Sequence, residues 1–77
     1  MEKIIVFGLG YVGLPLALNL AKHSSVIGFD IDQDKIMSYK AYFDPAGECS
    51  SNQFRDVAES ITFTDDSHCL SGKKTVI

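Results

Sequence analysis

Seventy-seven residues carrying ten acidic and seven scattered basic side chains, for a net charge of −3, exclude a chain built to grip nucleic acid. A chain this short makes one small domain and buries only about 60% of the surface its unfolded form exposes, so marginal stability is expected. The two cysteines, Cys49 and Cys69, lie twenty residues apart; this fits neither a zinc-site spacing nor a disulfide scaffold, so both read as reduced thiols and no metal site is expected.

The first element is the apolar run Lys3 to Phe7 (KIIVF), a strand buried on both faces that stops at glycine. Residues 4–21 carry no charge, which raises the question of a signal peptide or membrane span. Glu2 spoils a positive leader, Asn19 is polar, and three glycines and a proline interrupt the run, so no membrane association is expected and the chain is placed in the cytoplasm. Val12, Leu16 and Leu20 recur four apart with Gly13 and Ala17 beside them, an amphipathic helix starting near Tyr11. Pro15 falls at or just beyond its first turn, where a missing N–H costs little.

Ser24 and Ser25 break that helix, and residues 26–29 (VIGF) form a second strand ending at Asp30. A second helix follows, with Asp32 as N-cap and Asp34 in its first turn; Ile36, Lys40 and Phe43, or Met37 and Tyr39, offer its buried side. Residues 44–52 (DPAGECSSN) are turn formers and read as a loop, and residues 53–60 as a short third helix. Residues 61–64 (ITFT) form a third strand, 65–71 a polar connection or brief helical turn, and 73–77 (KKTVI) the start of a fourth strand. The alternation argues for an α/β chain with a mostly parallel sheet, built as a three-layer βαβαβ unit and cut within its fourth strand.

Gly8-Leu9-Gly10-Tyr11-Val12-Gly13 matches G-x-G-x-x-G, a weak signal alone. Here it directly follows a strand, opens a helix, and is followed twenty-two positions after Gly8 by Asp30 at the end of the next strand. That context is the dinucleotide fingerprint of a Rossmann domain, of which residues 1–77 supply the amino-terminal part. Gly8 permits the tight turn, Gly10 lets a pyrophosphate approach the backbone, and Gly13 lets helix and strand pack closely. The N–H groups of Tyr11 and Val12 sit at the positive end of the helix dipole, ready to donate to the pyrophosphate. Asp30 accepts from the adenosine ribose hydroxyls and repels the 2′-phosphate of NADP, which makes NAD the expected cofactor. Asp32 competes for that role but reads better as a helix cap.

The stretch IIVFGLGYVGLPLA, with VIGFDIDQDKI and ITFTDD after it, resembles the amino terminus of the UDP-glucose/GDP-mannose dehydrogenase family, especially bacterial members that oxidise UDP-N-acetylated sugars. The Tyr-Val pair and the Leu-Pro-Leu-Ala run are not demanded by dinucleotide binding in general. The resemblance implies main-chain contacts to NAD at Gly10, Tyr11 and Val12 and ribose contacts from Asp30 and Lys35. From spacing alone, Lys35 reads equally as an exposed helix lysine paired with a carboxylate. The resemblance also implies a parent enzyme that oxidises the C6 alcohol of a nucleotide sugar to a carboxylate with two NAD, through a thiol-bound intermediate. The family's nucleophilic thiol and sugar site lie beyond these residues, so no catalytic residue is assigned and the chain alone is expected to be inactive. The loop Asp44-Pro45-Ala46-Gly47-Glu48 departs from the family's Asp-x-Thr-x-Glu pattern at Ala46. Two other readings share the strand, glycine motif and acid: a non-enzymatic nucleotide-sensing module of a transport regulator, and a dehydrogenase of another class. With only a stub to cover the open side of the first strand, self-association and weak NAD affinity are expected.

Overall fold

The computed structural model describes residues 3–66 and 74–76, the last three as backbone. Strands β1 (Lys3–Phe7), β2 (Ser25–Phe29), β3 (Ile61–Thr64) and β4 (Lys74–Val76) run parallel in the order β3-β2-β1-β4. Successive strands step outward from β1 through β2 to β3, and the chain then returns to the other side of β1. That reversal is the switch point at which open α/β sheets present a crevice beyond the carboxyl ends of their strands. β1 pairs with β2 along its whole length, Lys3 opposite Ser25 through Phe7 opposite Phe29. On its other side, among the described residues, β4 pairs with it from Lys3 to Ile5.

Helices α1 (Gly13–Leu20), α2 (Gln33–Lys40) and α3 (Ser51–Asp56) supply the rest of the core. Strand alternation turns Val6, Val26 and Phe63 toward the helices, where Leu14, Ala17, Ile36 and Phe54 close over them. The opposite face carries Ile5, Phe7, Ile27 and Phe29, with the two phenylalanine rings edge to face at 5.5 Å. All three helices of the described residues therefore lie on one face. The three-layer unit expected from the sequence shows two layers among the described residues, and residues 67–73, Cys69 among them, lie outside these.

The uncharged run of residues 4–21 resolves into a strand, a glycine turn and an eight-residue helix. Among the described residues no helix is long and apolar enough to cross a membrane. α1 starts at Gly13 rather than near Tyr11, which makes Pro15 its third residue, still within the turn whose amides have no helical acceptor. α2 begins as read: Asp32 caps it, its side chain accepting from the amides of Asp34 at 3.0 Å and Lys35 at 3.3 Å. Its buried side is Ile36 with Tyr39, while Met37 and Phe43 stay exposed. α3 spans Ser51–Asp56 instead of 53–60. Gln53 is its third residue, not its first, and its side-chain oxygen accepts the Ser50 amide at 2.8 Å, so the helix begins inside the stretch read as loop.

Candidate functional site

The glycine turn joins β1 to α1, and each glycine is held there for a different reason. Gly8 has φ +83°, a conformation other residues adopt only under strain, and its amide donates to the Phe29 carbonyl at 2.9 Å, tying the turn to β2. A methyl group on Gly13 would lie 1.8 Å from the Gly8 carbonyl oxygen, so α1 rests directly on the end of β1. A methyl on Gly10 would meet nothing within 4 Å; its side faces open space above the helix end.

That helix end is bare. Val12 is its N-cap and provides no side-chain cap, and the first turn contains no acidic residue. Leu14 and Leu16 donate back to the carbonyls of Gly10 and Val12, whereas among the described residues the amides of Tyr11 and Val12 have no acceptor. Both residues are about three-quarters exposed, Tyr11 at 76% and Val12 at 74%. Uncapped N–H groups at the positive end of a helix dipole form an anion site.

The residue between the first two glycines is not a spacer. Leu9 is fully buried, and a methyl on Gly28 of β2 would stand 3.1 Å from both of its terminal carbons and 3.1 Å from the Phe63 ring. Gly28 thus leaves room for Leu9 to plug the turn into the core, a role the sequence reading passed over. The Leu9 peptide is gripped at both ends. Its amide donates to Asp30 Oδ2 at 2.8 Å, and its carbonyl accepts from the Tyr39 hydroxyl at 2.6 Å.

Asp30 also accepts the Asp32 amide through Oδ1 at 2.9 Å. Partial burial pushes its pKa up, but the amides of Asp32 and Leu9 and the charge of Lys35 outweigh that, and the carboxyl is held below its ordinary value of 3.8. The carboxyl is only partly buried, so an ionised acceptor remains beside the glycine turn. Lys35 is half-buried rather than fully exposed. It lines a pocket of about 180 Å³ with Gly10, Tyr11, Pro15, Tyr39 and the loop from Asp44 to Glu48.

That loop is organised by Asp44, which is buried and accepts the amides of Ala46, Glu48 and Cys49 at 3.0, 2.9 and 3.0 Å. Sequence reading saw turn formers here but not that one carboxylate gathers them. Cys49 is free and buried; burial first, then Asp44 and Glu48, push its thiol up. This is the reverse of what a nucleophilic thiolate needs. Among the described residues no group of three or more His, Cys, Asp or Glu side chains could hold a metal ion.

Strand, glycine turn, bare helix end and strand-end acid are thus in register, and the sequence comparisons agree. The profile of the UDP-glucose/GDP-mannose dehydrogenase family, NAD binding domain, matches residues 2–67. The chain belongs to the UDP-glucose/GDP-mannose dehydrogenase family. It carries that family's NAD-binding domain, and NAD is the cofactor of that domain. It is 42% identical over 62 residues to UDP-N-acetyl-D-glucosamine 6-dehydrogenase of Pseudomonas aeruginosa, covering 79% of this chain and 15% of that protein. It is 35% identical over 76 residues to Protein CapL of Staphylococcus aureus, covering 99% of this chain and 18% of that one. In structure it resembles a UDP-D-ManNAc dehydrogenase from Pyrococcus horikoshii, with a TM-score of 0.82 and 27% identity over 97% of this chain and 19% of the other. The chain therefore spans less than a fifth of the length of these relatives. The family match favours the dehydrogenase reading over the transport-regulator module.

Proposed function

We propose that this chain is the NAD-binding part of a cytoplasmic nucleotide-sugar 6-dehydrogenase, holding the cofactor's adenosine diphosphate half between the glycine turn and Asp30. The observation that carries the reading is the 2.8 Å bond from the Leu9 amide to Asp30, which fixes a carboxylate beside a bare helix end. The residues present fit the group: Gly10 leaves open space where a diphosphate would approach, and the Tyr11 and Val12 amides, without an acceptor among the described residues, can donate to it. Asp30, ionised and only partly buried, accepts from the ribose hydroxyls, and Lys35 completes that side of the site. A 2′-phosphate would meet the Asp30 charge, so NAD is preferred to NADP.

In the parent enzyme NAD supplies the hydride acceptor for oxidising the sugar's C6 alcohol to a carboxylate. What this chain contributes is binding and orientation. The buried, protonated Cys49 is no nucleophile, and the thiol and sugar site belong to other parts of the parent. The chain alone accordingly has no dehydrogenase activity. Among the described residues the outer edges of β3 and β4 pair with no further strand, which favours self-association in solution.

Titration of the chain with NAD and NADP, followed by amide nitrogen–proton correlation spectra, tests the reading. NAD should move the resonances of Gly10 to Gly13, Asp30 and Lys35 with a roughly millimolar constant, because half a site lacks several kcal/mol of contacts; NADP should bind more weakly. Unmoved resonances up to roughly ten times that constant, or a preference for NADP, would overturn it.

A further inference from the structure

We infer that Tyr39 is a positioning residue for the cofactor: its hydroxyl, held on the Leu9 carbonyl, sets the glycine turn in the form that receives a diphosphate. The inference rests on the NAD-binding reading above, and it adds a residue thirty positions from the motif.

Leu9 lies between the two glycines whose backbone shapes the turn, and its peptide groups govern where the Gly10, Tyr11 and Val12 amides point. Asp30 fixes the amide side of Leu9 and the Gly8 amide ties the start of the turn to β2, but neither bond holds the Leu9 carbonyl, from which the chain runs on to Gly10. Tyr39 holds that carbonyl, from α2, at 2.6 Å. The ring that carries the hydroxyl is itself immobile. Tyr39 is 3% exposed and forms a three-ring cluster with Phe54, stacked at 6.0 Å, and Phe63, tilted at 5.4 Å, which themselves stand 6.0 Å apart. A hydroxyl on a buried ring packed against two others is a fixed point in space, not a mobile donor.

The hydroxyl also keeps its proton. Burial, then the neighbouring carboxylates of Asp44, Asp30 and Asp32, push its pKa up to about 12, so it donates throughout the neutral range. The same side chain lines the pocket bounded by Gly10, Tyr11, Lys35 and the Asp44 loop, so it stands where the turn, α2 and that loop meet. Nothing in periodicity distinguishes Tyr39 from an ordinary core residue of α2. Its phenolic oxygen does, because a phenylalanine would fill the same space without holding the carbonyl.

The test is Tyr39→Phe in the full chain, titrated with NAD, ADP-ribose and adenosine by the same amide spectra. Loss of one hydrogen bond to the turn should weaken NAD and ADP-ribose about fivefold, and leave adenosine, which has no diphosphate, unchanged. Ile27→Val, which removes buried volume on the opposite face of the sheet, away from the three rings and the glycine turn, should lower stability yet leave all three ligand affinities alone while the chain remains folded. Equal weakening of adenosine and ADP-ribose by Tyr39→Phe, or an unchanged ADP-ribose affinity, would overturn the inference while the NAD reading stands. Failure of the unaltered chain to bind NAD would overturn both.

Discussion

Replacing Gly13 by Ala should be the most damaging methyl group that can be added to the glycine turn. The new Cβ would stand 1.8 Å from the Gly8 carbonyl oxygen and 3.0 Å from its carbon, and Cβ atoms essentially never stand below 3.0 Å. Both obstructing atoms are backbone, so no rotamer change relieves the clash and α1 must lift off β1. Overpacking of this kind costs about 3 kcal/mol or more, against which alanine returns about 1 kcal/mol in helix propensity. A net loss of roughly 2 kcal/mol is large beside a total stability of about 4–12 kcal/mol for a chain this size. With a urea slope of about 1 kcal/mol per molar, the midpoint should fall by about 2 M. Gly8→Ala, strained by its positive φ, should cost about 1 kcal/mol or somewhat more. Gly10→Ala, which meets nothing within 4 Å, should unfold within about 0.5 kcal/mol of the unaltered chain yet lose NAD binding. Urea titrations by circular dichroism on the three variants give the ranking. A Gly13→Ala midpoint indistinguishable from wild type would refute the reasoning, since no other residue can absorb that contact.

Other expectations concern side chains. Because the folded state holds the Asp30 carboxyl below 3.8, its contribution is present above the unfolded value near 3.9 and fades as pH falls through the lower folded value; Asp30→Asn should flatten that acid limb in urea midpoints measured against pH. Exchanging Asp30 for Ser and Ile31 for Arg in the full-length parent should shift the ratio of NAD to NADP affinity toward NADP while lowering both, because the Leu9 amide loses its acceptor; steady-state kinetics with each cofactor would show it. Asp44→Ala strips three amides of their acceptor and should cost about 1–3 kcal/mol in urea unfolding. In a Cys69→Ser background, Cys49 should react with a disulfide reagent at the rate of local opening, accelerating sharply in urea; fast reaction in buffer would contradict its burial.

The fold was readable because its punctuation is local. A strand that stops at glycine, an aspartate that caps α2 and a run that alternates every second residue all act through near neighbours, and β3 fell where ITFT placed it. The glycine motif and Asp30 were legible for the same reason, since their spacing is itself the signal. What escaped the sequence were contacts across the chain. The Asp30 carboxylate looked like a ribose ligand, and its grip on Leu9, twenty-one residues away, has no one-dimensional signature. Tyr39 read as one of two possible buried sides of α2, Asp44 as a turn former, and Gly28 as an unremarked strand residue; each takes its meaning from a partner that only folding supplies. α3 was misplaced for a local reason, because the capping box that Ser50 and Gln53 form lies within a polar stretch dominated by turn formers.

The Asp44 loop has a consequence for how this chain tolerates change. All it asks of residues 46 and 48 is a main-chain N–H, since Asp44 gathers amides and not side chains, whereas Cys49 adds a side chain buried in the core. Ala46 can therefore stand where the family pattern has threonine with the loop's shape intact, and almost any residue other than proline should serve there. The segment behaves as a cassette whose frame is written at one position and whose outward face is free to be rewritten. Variation between lineages should accordingly collect at its exposed letters, Pro45, Ala46 and Glu48, and spare the buried aspartate that frames them.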